Sequence, residues 1–124
     1  MRLGKRLLSA WAVGAALLLA APTTAHAGTD ENASVFGALV FFRHDGDSFR
    51  VCDTLDDAWN VYARCEYIRI DGSIQTGRHY VSSGRGTCKD FDHNFGEGRP
   101  VRFTACVQNW VLDYCQEPWS TAVA

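Results

Sequence analysis

The sequence predicts an all-β fold: a small antiparallel β-sandwich of about six to seven strands, stabilised by disulfides. Three observations predict it. Short runs rich in Val, Phe and Tyr are separated by turn signals at roughly 8–12-residue spacing. No segment beyond residue 27 carries a helical period. All five cysteines, Cys52, Cys65, Cys88, Cys106 and Cys115, also lie beyond residue 27.

The first 27 residues read as a signal peptide. Arg2, Lys5 and Arg6 form a positive start, "LLSAWAVGAALLLAA" is an apolar run, and Ala25-His26-Ala27 is a small-x-small cleavage triplet after Pro22. Cleavage there leaves Gly28–Ala124, which is 97 of the 124 residues and one small domain, 35–124, behind a short arm. A chain this short buries only about 60–65% of its unfolded surface. Its core therefore needs help, and in a secreted chain disulfides supply it, at about 2–4 kcal/mol each. The leader takes three of the 12 basic residues and none of the 14 acidic ones, leaving nine against 14, a net −5. An acidic chain has no general grip on phosphates, so nucleic acid and, after cleavage, anionic membranes are poor partners.

The elements follow in order. Residues 28–34, "GTDENAS", are polar and read as a flexible N-terminal arm. "VFGALVFF", Val35 to Phe42, is apolar at both alternating positions and suits one buried strand. "HDGD" is a hairpin turn. "SFRVCD" alternates, with Phe49 and Val51 on one side and Arg50 and Cys52 on the other. "NVYARCEYIRI" places Val61, Ala63, Cys65 and Tyr67 on one face, and Asp71-Gly72 makes the next turn. "IQTGRHYVSS" is a strand weakened by Gly77, and "GRGTCKDFDHNFGEG" is read as a long irregular stretch. "RPVRFTACVQ" is the cleanest alternation, with Val101, Phe103, Ala105 and Val107 inward. "NWVLDY" is a connection, and "PWSTAVA" a last strand.

Alternation also orders the cysteines. Cys106 faces outward and Cys115 follows one connection later, so they make one pair. Cys52 also faces outward, within reach of Cys88 in the long loop, leaving Cys65 as a free thiol on the apolar face. The alternative joins Cys65 to Cys88 and leaves Cys52 spare.

Candidate chemistry is thin. From Asp45 an EF-hand register would need glycine at position six and glutamate at twelve; Arg50 and Asp56 stand there. Asp45, Asp47, Asp56 and Asp57 therefore read as turn residues, and no metal or other cofactor is expected. No cysteine–histidine spacing suits zinc. Asp90 and Asp92 flank Phe91 beside His93, but nothing nearby buries them as acid/base catalysis requires. Cys–His catalysis needs a free cysteine near His44, His79 or His93. No catalytic residue is assigned. Trp59, Trp110, Trp119, Tyr62, Tyr67, Tyr80 and Tyr114 serve either to cover the core or to form a binding surface.

Phe49, Val51 and Asp53, then Glu97-Gly98, then Val101, Phe103 and Cys106, then Cys115 before "PWSTA", form a pattern that resembles small secreted β-proteins of Streptomyces and its relatives. Ala58 departs from it, where a glycine is expected after the acidic pair. Some of these proteins are similar to the adaptor subunits of umbrella toxin particles. That resemblance implies a non-catalytic, extracellular protein-binding module, joining a lectin-like subunit to a repeat-built toxin chain. The expected partner surface is the N-terminal strand, through Val35, Phe36, Leu39 and Phe41, added edge-on to another protein's sheet. The alternative is an inhibitor of an extracellular protease, using the 83–98 loop held through Cys88.

Overall fold

The computed structural model describes residues 28–82 and 84–124; segment 1–27, expected from the sequence to be a signal peptide, and Ser83 lie outside the described residues. Among the described residues, nine strands form two antiparallel sheets packed face to face, so the all-β expectation holds with more strands than anticipated. They are β1 (Glu31–Val35), β2 (Ala38–Arg43), β3 (Ser48–Asp53), β4 (Asn60–Ile68), β5 (Ile74–Val81), β6 (Cys88–Asp92), β7 (Pro100–Gln108), β8 (Asp113–Cys115) and β9 (Ser120–Val123). The first sheet runs β1-β2-β3-β6. The second runs β5-β4-β7-β8, with β9 also paired to β7.

Three sequence expectations are corrected. The 28–34 segment is not a loose arm. Glu31–Val35 pairs along β2, and Thr29 N–H donates to the Val123 carbonyl at 2.9 Å. Its polar residues hid the strand because Ala33 alone is buried, while the backbone bonds carry no sequence signal. "VFGALVFF" is not one strand either. Gly37, at φ 101°, turns the chain between β1 and β2, a conformation side chains with a Cβ avoid. The 83–98 stretch is not a single loop, because β6 runs through it and pairs with β3. That strand escapes the period because it is an edge strand whose residues are almost all exposed.

The core lies between the sheets. Val40, Phe42, Phe49 and Val51 of the first sheet meet Val61, Ala63, Val101, Phe103, Ala105 and Val107 of the second. Phe49 sits 5.0 Å from Phe42 and 5.4 Å from Phe103, ring centre to ring centre. Burying each such side chain contributes about 1.5–3 kcal/mol. The disulfides join Cys52 to Cys88 and Cys106 to Cys115, and Cys65 is a buried free thiol. Each bonded pair occupies directly opposed positions of neighbouring strands, β3 with β6 and β7 with β8.

Candidate functional site

The aspartates flagged in the sequence shape turns. Asp47 is buried in the β2–β3 turn at φ 50°, and its Oδ2 accepts the Phe95 N–H at 2.8 Å. Asp53 Oδ1 accepts the Leu55 N–H and Asp57 Oδ1 the Trp59 N–H, each two residues on, which is the Asx-turn pattern. Asp45 and Asp47 stand before β3, Asp56 and Asp57 after it. A six-residue strand spans about 20 Å, so the four do not converge. Asp90 is held by Arg50 through two bonds, at 2.8 and 3.1 Å. Ala58 needs no glycine, since Asp47 alone among the described non-glycine residues takes a positive φ.

One cluster meets the condition set for cysteine chemistry. Across β4, β5 and the segment after β6, Cys65 Sγ lies 3.9 Å from His79 Nε2, and His79 Nε2 lies 2.8 Å from His93 Nε2. Gly77 stands opposite Cys65 on β5, where a Cβ would come within 3.0 Å of the sulfur. The rings are packed among aromatics, His79 on Phe91 at 4.4 Å and His93 on Phe95 at 4.7 Å. Burial pushes the Cys65 thiol up to about 11. Burial, then the His93 charge, pull His79 down to about 4. Both shifts oppose a thiolate–imidazolium pair, which is the form a cysteine nucleophile requires. The His79–His93 contact is a neutral N–H···N bond, one ring donating to the other's lone pair. At 2.8 Å it leaves no room for an ion between the nitrogens. Among the described residues no three His, Cys, Asp or Glu side chains are grouped for a metal.

The other feature is an apolar end of the sandwich. The β1–β2 turn, the β3–β4 loop and the β7–β8 loop meet there. Thr54 N–H donates to the Gly37 carbonyl at 3.0 Å, and Tyr114 Oη to the Phe36 carbonyl at 3.1 Å. At the tip, Trp110, Val111 and Leu112 are 86%, 93% and 72% exposed, beside Phe36 at 77%. The tip is nonetheless ordered. Val111 and Leu112 N–H both donate to Asn109 Oδ1, at 2.9 and 2.7 Å. The Cys106–Cys115 bond clamps its base, and Tyr62 Oη donates to Asp113 at 2.6 Å just beyond it. A shallow cleft of about 280 Å³ lies between Trp59 and Trp110.

Of the sequence-assigned partner residues, only Phe36 is open. Val35 packs partly on the core, and Leu39 and Phe41 are half-buried on the outer face of β2. The outer edge of β1 is also occupied: Ser120 Oγ donates to the Asn32 carbonyl and the Ser34 N–H donates to Gln116 Oε1, both at 2.6 Å. Strand addition at β1 is therefore blocked. Sequence reasoning places the tip in a connection and leaves Trp110 open between core cover and binding surface. It does not single out Val111 and Leu112, although three consecutive apolar residues between Asn109 and Asp113 depart from the polar rule for loops. No protein-family model, curated protein or solved structure matches the chain.

Proposed function

We propose that the chain is a secreted, non-catalytic protein-binding module that docks through its apolar end, with an adaptor between larger extracellular subunits as its concrete form. The observation that carries this reading is the ordered Trp110–Leu112 tip. Three large apolar side chains held in water by a clamped loop lose little conformational entropy on binding, and tryptophan is a frequent anchor of interfaces. Asp56, Asp57 and Asp113 are exposed around the tip and repel anionic lipid, which favours a protein over a membrane. The cysteine and histidine shifts described above support a non-catalytic role. The inhibitor reading loses its loop, since β6 occupies the middle of 83–98.

The test is affinity capture from culture supernatant with Trp110→Ser/Val111→Ser/Leu112→Ser against the unaltered protein. Loss of at least tenfold of the captured partner is expected; equal capture refutes the docking surface. Deleting residues 28–42 would not serve, because it removes the buried Ala33, Val40 and Phe42 with the surface.

A further inference from the structure

A second surface lies away from the apolar tip, and its argument does not depend on the first. The two sides of the sandwich end differently. On one side β1 is stitched to the β8–β9 segment by Gln116 and Ser120. On the other, β5 is an eight-residue edge strand paired only with β4. The β4–β5 turn fixes which of its backbone groups are free. Arg69 N–H donates to the Ser73 carbonyl and Gly72 N–H to the Arg69 carbonyl, with Gly72 at φ 84°. Alternation from that pair bonds Gln75, Gly77, His79 and Val81 to β4. The N–H and C=O groups of Ile74, Thr76, Arg78 and Tyr80 then point away from the sheet, and none has a backbone partner there among the described residues.

The same four residues carry their side chains on the outer face, where Arg64, Arg78 and Arg102 stand with Glu66. Arg78 stands directly opposite Arg64 of β4. Like charges in that position repel. Neither has a carboxylate within ion-pair distance among the described residues. Instead Arg64 lies over the Trp119 ring at 5.2 Å and Arg78 over the Tyr62 ring at 5.8 Å. Arg102 is paired with Glu66 at 3.2 Å. Arg64, Glu66, Thr76, Arg78 and Trp119 line a cleft of about 390 Å³. Arg78 is hydrogen-bonded to the Tyr80 side chain, but no carboxylate engages either guanidinium at ion-pair distance among the described residues, and guanidinium forks match carboxylates in geometry and charge.

We propose that the β5 edge, with Arg78 and Arg64 beside it, binds an extended acidic segment of a partner protein as an added strand. Such a strand lies about 4.8 Å beyond β5 and presents alternate side chains to the same outer face, about 6.7 Å apart. Carboxylates at those alternate positions meet Arg78 and, across it, Arg64. Backbone bonds supply affinity and the arginines supply selection for acidic residues.

The probe is a capped peptide of four Thr-Glu repeats, titrated into isotopically labelled protein, with amide shifts and hydrogen exchange as readouts. Binding should slow exchange at Thr76, Arg78 and Tyr80 and leave the Trp110–Leu112 amides unmoved. Arg64→Ser/Arg78→Ser should weaken it at least tenfold, and a Thr-Lys peptide should not bind. Thr76→Pro deletes only an outward donor, a change that edge strands tolerate, and should also weaken binding about tenfold. The proposal is overturned if the acidic peptide fails to bind at millimolar concentration. Equal binding by a peptide N-methylated at alternate amides overturns it too, because that outcome describes a plain anion site. Both variants must keep the melting temperature of the parent within a few degrees. If one does not, shift mapping on the unaltered protein decides: shifts that avoid β5 overturn the proposal.

Discussion

Asp47 is the residue through which the β2–β3 turn holds the far end of the sandwich. Its carboxylate accepts the Phe95 N–H at 2.8 Å, and Phe95 is itself part of the core. Its backbone sits at φ 50°, which Asp, Asn and Gly tolerate far better than other residues. Three substitutions separate these two contributions. Asp47→Asn keeps an oxygen acceptor and the left-handed tolerance, and loses only the charge assistance, about 1 kcal/mol. Asp47→Gly keeps the backbone freedom but loses the bond, and adds freedom to the unfolded chain, for about 2–3 kcal/mol in all. Asp47→Ala loses the bond and also forces a Cβ into the left-handed region, for about 3–4 kcal/mol. In a domain of this size each kcal/mol moves the melting temperature by about 4–8 °C. The order of melting temperatures should be parent, Asn, Gly, Ala, read by tryptophan fluorescence in thermal and urea unfolding with the disulfides intact. Ala no worse than Gly would refute the backbone argument. Asn as damaging as Ala would refute the hydrogen-bond argument.

The disulfides close chain separations of 36 and 9 residues. Chain entropy alone makes Cys52→Ala/Cys88→Ala cost about 4 kcal/mol and Cys106→Ala/Cys115→Ala about 2.5 kcal/mol, so urea midpoints should fall in that order. Cys65, buried with its thiol raised to about 11, should resist iodoacetamide at pH 8 in the native protein and take one adduct in denaturant, as read by intact mass. His79 sits at about 4 in the fold against 6.5 when exposed, so the unfolded chain binds more protons between those values. Its contribution to stability is therefore full above pH 6.5 and is lost as pH falls through about 4. His79→Gln should make the decline of melting temperature across that window shallower. Adding millimolar calcium should leave the melting temperature unchanged, because Asp45 and Asp47 stand at the opposite end of β3 from Asp56 and Asp57.

The legible parts of this fold are those where side chains report on the backbone. β7 shows its inward face because Val101, Phe103, Ala105 and Val107 alternate with other residues and pack on the core. The disulfide pairs could be read because outward-facing cysteines on strands have few partners within reach. β1 and β6 were not legible for the opposite reason. Their stability comes from backbone bonds to β2 and β3, and their side chains are mostly in water. Nor does the sequence tell that β5 and the segment after β6 come together across the open side of the sandwich. The Cys65–His79–His93 contact depends on that approach, and the two histidines are 14 residues apart with a strand between them. The apolar tip was visible as three residues, but its exposure depends on the Asn109 cap, which only geometry reveals.

The unequal edges link stability to binding. A free edge strand is a hazard, since its unpaired backbone groups invite another chain, and proteins commonly protect such edges with charge. β1 is protected by two side chains that occupy its donors and acceptors. Among the described residues β5 has no such cover. It carries Arg78 at its centre, with Arg64 behind it. Two copies meeting edge to edge along β5 would bring these arginines together and add like-charge repulsion to the pairing. The same two residues that discourage self-association therefore favour a partner strand of opposite charge. An edge kept open yet guarded by guanidinium groups that no carboxylate engages among the described residues is what selection for an acidic partner over self-pairing requires physically.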